Sequence, residues 1–322
     1  MIDNNADKNK ATSEGWTPLH LSAFTGHEQV CKILLKDQVV KDPLDNVGYT
    51  PLQAAAAEGH PDVCKILIDN NVDKNITTKE GHNPLHLLAS RGHLEVCKIL
   101  LNIQVEKNSR DNFGFTPLNT AAAEGHPEVC KILLDDNVEK NKISSDGLTS
   151  LHLAAYKGSL EVCKILLDNQ VEKDCIDKFG DGPLDKAAAK GHLEVCKVLI
   201  DKDVNKNQTS YHGWTPLHLA HNIAKNQTTC GGWTPLHQGA SKGHLEVCKL
   251  LLDNQVEKDP IDTSGETPLH KAAAKGYFEV CKILIDNKVN KNQTSYDGWT
   301  PLHLAASKGH PEVCKILLDN QV

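Results

Sequence analysis

Residues 298–322, GWTPLHLAASKGHPEVCKILLDNQV, contain the signals that decide the fold. Thr300 is a good helix N-cap, because its side-chain oxygen can accept a hydrogen bond from an unpaired backbone N–H. Pro301 suits the first helical position, where its missing N–H has no partner to lose. Gly309 ends this helix, since glycine adopts the left-handed conformation without strain. Pro311 then starts a second helix with its apolar residues on one side. The stretch predicts two short helices joined by a tight turn.

The same unit recurs along the whole chain of 322 residues. Thr-Pro-Leu-His, or a close variant, begins every 33 residues, except for one interval of 19 between Thr215 and Thr234. The cysteines of a Val-Cys-Lys tripeptide keep the same spacing and show the same exception between Cys196 and Cys248. Two independent markers therefore indicate one period and one defect. The first marker begins at Thr17, Thr50, Asn83, Thr116, Thr149, Gly182, Thr215, Thr234, Thr267 and Thr300.

The predicted helices are too short to be stable alone. Helices of about 8 and 10 residues do not persist in water, so each must bury its apolar side against the neighbouring copy. Such copies form a one-dimensional stack that is stabilised by nearest-neighbour interfaces. The composition agrees, because aromatic residues make up only 4% of the chain and a single large core normally relies on them. We therefore expect an all-α solenoid of stacked helix-turn-helix repeats.

The unit resembles the ankyrin repeat, whose 33-residue period and Thr-Pro-Leu-His-x-Ala pattern it shares. Gly15-Trp16-Thr17-Pro18-Leu19-His20 and Gly26-His27-Glu28 carry the resemblance in the first copy, and it extends over essentially the whole chain. The resemblance implies hairpin-like loops between the helix pairs. The expected divisions are a tail of a preceding partial repeat (1–14), repeats 1 to 6 (15–212), a truncated repeat without its second helix (213–231), and repeats 7 to 9, the last ending mid-repeat (232–322).

Residues 213–231 are the defect in this array. They repeat the sequence of a tip and a first helix, and no second helix follows them. Either these residues loop out while their neighbours stack across them, or the stack breaks there. We expect residues 219–231 to be the least stable segment and to act as a flexible joint, which limited proteolysis would cut first.

One departure from the ankyrin pattern recurs after the second helix, where the family usually has glycine. If the site keeps a positive φ, each non-glycine residue costs about 1 kcal/mol, and Asn and Asp are tolerated best. We expect slightly strained or reshaped loops at Gln38, Asn71, Gln104, Asn137, Gln170, Asp203, Gln255, Lys288 and Gln321.

The 11 cysteines suggest metal or redox chemistry, but their period argues against it. Packed helices lie about 8–10 Å apart, whereas a disulfide needs Cα atoms within about 7 Å and zinc needs its sulfurs about 2.3 Å from one ion. We expect the repeated cysteines to be small buried hydrophobic residues, and Cys175 and Cys230 to be free surface thiols. The sequence predicts no metal and no cofactor.

The 17 histidines fall mainly into two repeated sets. The resemblance implies that the first set, which follows Pro-Leu, bonds loop backbone between repeats. The second set follows the connecting glycine and is typical of helix-entry residues. Gln53, Asn119 and Asp185 replace the first-set histidine in some units, which a catalytic base would not tolerate. With no nucleotide-binding, hydrolase or kinase motif present, we predict that the chain is not an enzyme.

In the ankyrin family, partners usually meet the concave surface formed by turn tips and first helices. The resemblance implies that the residue after each tip glycine points there, and all four tryptophans of the chain occupy this position. Exposed aromatic residues on a rigid frame are typical hot spots of binding, whereas the alternative is local packing against the neighbouring turn. The candidate aromatic residues are Trp16, Tyr49, Phe115, Trp214, Trp233 and Trp299.

The residue before the glycine that connects the two helices also tends to face this groove. It is Thr, Glu or Arg in the first four units and Lys in the last five. A row of like charges favours an acidic partner toward the C-terminal half, and the alternative is an ordinary solvated face. The candidate lysines are Lys157, Lys190, Lys242, Lys275 and Lys308.

The sequence thus predicts a non-enzymatic scaffold or adaptor that binds other proteins on the concave face. The alternative is a regulatory segment of a larger enzyme, channel or toxin whose active domain lies outside this chain. A net charge of −7 and the lack of a stacking platform disfavour nucleic acid. No apolar run of about 20 residues suggests membrane insertion, and no signal-peptide pattern opens the chain. We expect a cytoplasmic protein without a small-molecule substrate.

Overall fold

The computed structural model describes residues 7–36, 39–207 and 231–319, and the chain divides into two compact units, residues 1–145 and 146–322. Throughout these described residues the regular structure is helical, and the helices come in pairs. The first unit contains α1 (Pro18–Phe24) with α2 (Glu28–Leu35), α3 (Pro51–Glu58) with α4 (Pro61–Asp69), α5 (Pro84–Arg91) with α6 (Leu94–Asn102), and α7 (Pro117–Glu124) with α8 (Pro127–Asp135).

The second unit is built from pairs of the same kind. It contains α9 (Ser150–Lys157) with α10 (Leu160–Asp168), α11 (Pro183–Lys190) with α12 (Leu193–Asp201), α13 (Pro235–Lys242) with α14 (Leu245–Asp253), α15 (Pro268–Lys275) with α16 (Phe278–Asp286), and α17 (Pro301–Ser307) with α18 (Pro311–Leu318).

The first helix of each pair begins where its sequence signals predict. At α3 the N-cap Thr50 is extended, with φ −96° and ψ 164°, and Pro51 takes the first helical position. The Thr50 hydroxyl accepts from Gln53 N at 3.2 Å, and Gln53 Oε1 accepts from Thr50 N at 2.8 Å. This reciprocal pair satisfies N–H groups that a helix start otherwise leaves without a partner.

A left-handed glycine separates the two helices of a pair. Gly59 follows α3 with φ 78° and ψ 39°, and its N–H bonds back to the end of the helix. Two residues later Pro61 begins α4. The chain therefore reverses within one short turn, which lays the two helices of each repeat side by side.

The core of each unit is a continuous seam of small and aliphatic side chains. In the second unit, Leu151, Ala155, Cys163 and Leu166 have no exposed surface. First helices pack on neighbouring first helices and second helices on second helices, as α9 packs on α11 and α10 on α12. Burial of one leucine contributes roughly 1.5–3 kcal/mol, so contacts between neighbours stabilise helices too short to stand alone. The expected all-α stack of helix-turn-helix repeats is confirmed within each unit.

Hairpin-like loops connect successive repeats. In one loop Asp45 N donates to Tyr49 O at 3.0 Å, and Gly48 N donates to Asp45 O at 3.1 Å. Asn46 N in the same loop donates to Glu14 O of the preceding loop at 3.0 Å. Each loop is therefore closed on itself and tied to its neighbour through backbone hydrogen bonds.

The residues after the second helices keep the positive φ that glycine usually supplies. Seven non-glycine residues lie at φ between 56° and 64°, as the sequence led us to expect, and Gln38 and Gln321 lie outside the described residues. Side chains in this region are sterically strained, least so for Asn and Asp. The seven are Asn71, Gln104, Asn137, Gln170, Asp203, Gln255 and Lys288.

The repeats on either side of residues 208–230 contact one another directly within the second unit. His244 Nε2 donates to Ala189 O at 3.2 Å across 55 residues, where the equivalent bond elsewhere spans 36. Asn207 Oδ1 accepts from Glu257 N at 3.1 Å across 50 residues, where the equivalent bond elsewhere spans 31. The regular contacts are therefore kept with an offset of 19 residues. Most of the expected truncated repeat and joint lies outside the described residues.

Candidate functional site

In each unit, the loop tips and first helices share one surface, called the tip face below. In the first unit the Trp16 ring lies edge-on to Phe24, with ring centroids 5.1 Å apart, and 6.1 Å from the ring of His20. In the second unit Lys186 of α11 reaches Asp181 at the tip, at 2.8 Å. The tip face therefore runs from the residue after the tip glycine along the first helix of the same repeat.

The aromatic candidates at the tips pack locally and keep part of their surface exposed. Trp233 lies nearly parallel to the His237 ring at 6.1 Å, and Lys271 Nζ lies 4.9 Å from the centre of the indole. Trp299 is 41% exposed, and its ring meets that of His303 at 6.1 Å. Trp214 lies outside the described residues. The half-buried aromatic candidates are Trp16, Tyr49, Phe115 and Trp233.

The lysine candidates lie on the tip face of the second unit, and all five are exposed. Lys190 Nζ lies 4.3 Å from the ring centre of Tyr156, which is itself 53% exposed. A hydrogen bond from Lys190 and its positive charge lower the pKa of Tyr156. Within the described chain, three of the row form no ion pair: Lys242, Lys275 and Lys308.

Two further lysines each bridge a pair of acidic side chains on the same face. Lys186 Nζ lies 2.6 Å from Asp177 and 2.8 Å from Asp181, and only 15% of its side chain is exposed. Lys271 bridges Asp262 and Glu266 in the same way. Each of these lysines offsets one of its two carboxylates, so each cluster keeps one net negative charge. The five exposed lysines of the row supply the positive charge of the tip face of the second unit. Neither network was predicted from the sequence, although a lysine one position after Pro-Leu-Asp or Pro-Leu-His, near an acidic tip residue, was a readable signal.

The equivalent row in the first unit is mixed in charge. Arg91 pairs with Glu58 of the preceding repeat and also donates to Ala57 O at 3.1 Å. The remaining members of that row are Thr25 and Glu124. The tip face of the first unit therefore offers aromatic side chains without a row of like charge.

The first-set histidines are structural. His86 Nδ1 accepts from Asn83 N at 3.2 Å, and its Nε2 donates to Phe115 O of the following repeat at 3.0 Å. Burial lowers the pKa of His86 to about 4, so its ring is neutral at pH 7. With both nitrogens engaged, such a ring has no capacity left for acid–base catalysis. The bond to the following repeat, which the resemblance implied, is also made by His20, His152, His237 and His270.

The second-set histidines do more than enter a helix. His93 caps α6 without a side-chain cap bond, and its Nε2 donates instead to Ala57 O of the preceding repeat at 2.9 Å. Its ring fills the space beside Gly59, where an added Cβ would lie 2.4 Å from His93 Nδ1. This contact between repeats was not predicted from the sequence, where the recurring Gly-His pair was its only signal.

The repeated cysteines are buried and chemically quiet. Cys64, Cys97 and Cys163 have no exposed surface, and burial raises the pKa of each thiol to about 12. A thiol with such a pKa is protonated at pH 7 and is a poor nucleophile. Cys175 is half-buried, and Cys230 lies outside the described residues.

The described residues offer neither a side-chain cluster for a metal ion nor a helix that could cross a bilayer. No group of three or more His, Cys, Asp or Glu side chains in residues 7–36, 39–207 and 231–319 could hold a metal ion. In the same ranges, no helix combines the length and the hydropathy that crossing a bilayer requires.

Comparison with known proteins agrees with this architecture. The family model described as "Ankyrin repeats (3 copies)" matches residues 1–78, 70–144, 151–227 and 236–322. No curated protein matches the sequence. The crystal structure of the human ASB11 ankyrin repeat domain is similar, with a TM-score of 0.62 and 24% identity over 75% of this chain and 100% of that chain. Because 642 chains of solved structures match, the fold does not select a partner.

Proposed function

From the premise that the chain belongs to the ankyrin repeat family, we propose that it is a non-enzymatic scaffold or adaptor that binds other proteins on its tip face. Ankyrin repeats are generally protein-interaction modules, and their fold is typically non-catalytic. The proposal extends this general role to a named surface. It retains the repeat boundaries given above, with residues 213–231 as a truncated repeat.

The observation that carries the proposal is the lysine row of the second unit. Five lysines on successive first helices are exposed, while the acidic tip residues Asp181 and Glu266 are already paired with Lys186 and Lys271. A row of exposed like charges on a fixed frame attracts an acidic partner and speeds its association. The proposed partner of the second unit is therefore an acidic protein segment.

The aromatic tips supply the apolar part of the same surface. Trp299 and Tyr156 are exposed aromatic residues there, and Trp233 is held in place by His237. Aromatic side chains that are fixed before binding lose little conformational entropy in a complex. We propose that they add apolar contacts to the charge attraction of the lysine row.

The proposed setting is the cytoplasm, where the ladder of buried, protonated thiols suits a reducing compartment. No cofactor and no small-molecule substrate form part of the proposal.

A labelled peptide of twelve glutamates tests the charge of this surface. We expect it to bind the full chain with an affinity that falls as NaCl is added, because surface charges are screened by salt. The double variant Lys242→Glu, Lys275→Glu should weaken binding about tenfold in fluorescence anisotropy. The matched control Lys282→Glu, Lys315→Glu makes the same change of charge on the second helices α16 and α18. Equal losses in both double variants would show that net charge, and not the lysine row, governs binding.

A pulldown tests the aromatic residues. The intact chain is compared with a variant in which Trp214, Trp233 and Trp299 are changed to Ala, and circular dichroism checks that both are folded. We expect the variant to lose captured proteins. An unchanged set of captured proteins would remove the aromatic residues from the proposal.

A further inference from the structure

The third residue of most first helices has a side chain that donates a hydrogen bond to the following repeat. In five described repeats a histidine Nε2 there donates to a tip carbonyl of the following repeat. Gln53 does the same with its amide, donating to Ile76 O at 2.8 Å and His82 O at 3.0 Å. Asn119 donates to Lys142 O at 3.5 Å. The donor at this position therefore joins one repeat to the next.

Asp185 of α11 occupies this position with a carboxyl group. It is 1% exposed, and its Oδ2 accepts from Gly182 N at 2.9 Å. Its Oδ1 is buried without a hydrogen-bond partner. An ionised carboxylate has no proton to donate, whereas the protonated acid has one. The N-cap Gly182 provides no hydroxyl to assist, unlike the threonines that precede most other first helices.

The charges around Asp185 do not favour its ionisation. Asp177 and Asp181 in the preceding loop repel a negative charge, and Lys186 on its own helix is already held between them. Burial, followed by repulsion from Asp181, raises the pKa of Asp185 well above its ordinary value. On α12 the facing group is the Cys196 thiol, whose pKa burial raises to about 12.

The remaining neighbours of α11 are α9 and α13, and their titratable groups near this position are His152 and His237. Burial lowers the pKa of both rings to about 4, so they are neutral above pH 5. Among the described residues, no element packed against α11 therefore brings Asp185 a positive charge to pair with.

We propose that Asp185 makes the junction between the α11–α12 repeat and the α13–α14 repeat a proton-sensitive weak point of the second unit. The junction holds Asp185 as a neutral carboxylic acid. As pH rises, the folded junction must either retain this proton or bury an unpaired charge, and both favour opening.

The direction of the effect follows from proton linkage. In an opened, solvated state the pKa of Asp185 is near the ordinary value of about 3.9, which is lower than its pKa in the folded junction. Between these two values the closed state binds the extra proton, so stability falls as pH rises. Above the pKa of Asp185 in the folded junction, this loss of stability is complete, and stability no longer changes with pH through this group. His152 and His237 have the opposite effect, because their lowered pKa values make stability fall as pH falls. Both histidines are present in the unchanged chain and in the Asp185 variants, so their contribution cancels when these proteins are compared.

Native-state hydrogen exchange of the full chain between pH 5 and pH 8 tests the proposal. After correction for intrinsic exchange rates, the opening equilibrium of the α11 amides should rise by up to about tenfold per pH unit and then level off. In Asp185→Asn, which keeps the shape and removes the charge, this rise should be absent. Parallel pH profiles for the two proteins would overturn the proposal.

A second variant keeps the test decisive if Asp185→Asn does not fold. Asn119→Asp places the same carboxyl at the equivalent position of α7 in the first unit. We expect it to give the α7 amides a pH-dependent opening that the unchanged chain lacks. An unaltered α7 profile in a folded Asn119→Asp protein would show that a carboxyl at this position does not create a weak point. Asp185→His, which restores the commonest residue, should slow α11 exchange at pH 8.

Discussion

Buried histidines such as His152 link neighbouring repeats and make the fold sensitive to acid. His152 Nδ1 accepts from Thr149 N at 3.2 Å, and its Nε2 donates to Asp181 O at 3.0 Å. Burial lowers the pKa of His152 to about 4 from 6.5. A protonated ring could not accept at Nδ1, so the folded state resists protonation while the unfolded chain does not.

The first prediction concerns the pH dependence of this residue. Between pH 6.5 and pH 4 the unfolded state binds the extra proton, so stability falls as pH falls, by up to roughly 3 kcal/mol for one such group. His152→Gln, the residue that the chain itself uses at position 53, should remove that share of the loss. Urea unfolding at pH 7 and pH 4.5 measures it. As a control, His27→Gln changes an exposed histidine and should leave the pH dependence as it was. An equal change in both variants would contradict the assignment.

At the scale of the element, six of the nine described helix pairs contain a connecting glycine whose neighbour is a histidine from the next repeat. Gly92 has φ 79°, and a Cβ there would lie 2.7 Å from His126 Nδ1. The same ring donates through Nε2 to Ser90 O at 3.2 Å. Gly309 has φ 72° and nothing within 4 Å of such a Cβ. The two glycines share a backbone conformation and differ in what surrounds them.

The second prediction uses this difference. Gly309→Ala should cost about 1 kcal/mol, because only the left-handed strain is introduced. Gly92→Ala should cost at least about 2 kcal/mol, since the histidine must also move and its hydrogen bond is weakened. The free energy of unfolding from urea titration compares them. Similar losses would show that the histidine can shift without penalty.

At the scale of the whole molecule, the second unit tolerates a break in the period. Helices α11 and α13 pack together, and their repeats keep the regular bonds with an offset of 19 residues. Whether residues 213–231 loop out or break the stack stays a prediction of the sequence. The expected joint at residues 219–231 stays a prediction, to be checked by limited proteolysis.

The third prediction is that deletion of residues 208–226 leaves the second unit folded. The deletion joins Asn207 to Gln227 and restores the 33-residue interval, so the contacts of α11 with α13 are kept. The connection between α12 and α13 shortens from 33 to 14 residues, which lowers the entropy cost of closing it by roughly 0.8 kcal/mol. We expect unchanged helicity in circular dichroism and an equal or higher unfolding midpoint. Loss of structure would mean that these residues stabilise the junction.

The sequence by itself determined every feature that repeats with the period or depends on neighbours along the chain. Thr50 and Pro51 begin a helix because capping acts within four residues. Gln170 lies at φ 56° because the loop after each second helix is built alike. Cys163 is buried because its place in the helical stripe is fixed by 3.6 residues per turn. For these features, local propensity and the 33-residue period were enough to predict the structure.

Only the tertiary structure decided the contacts made by residues that depart from the repeat or reach across it. It showed that Lys186 is held between two carboxylates, that His93 bonds the preceding repeat, and that Asp185 is buried with one oxygen unpartnered. It also showed which repeats meet across the defect. The physical reason is that these side chains interact with groups outside their own helix, in the tip loop or in a neighbouring repeat. Their burial and partners depend on how repeats stack, which local sequence signals do not specify.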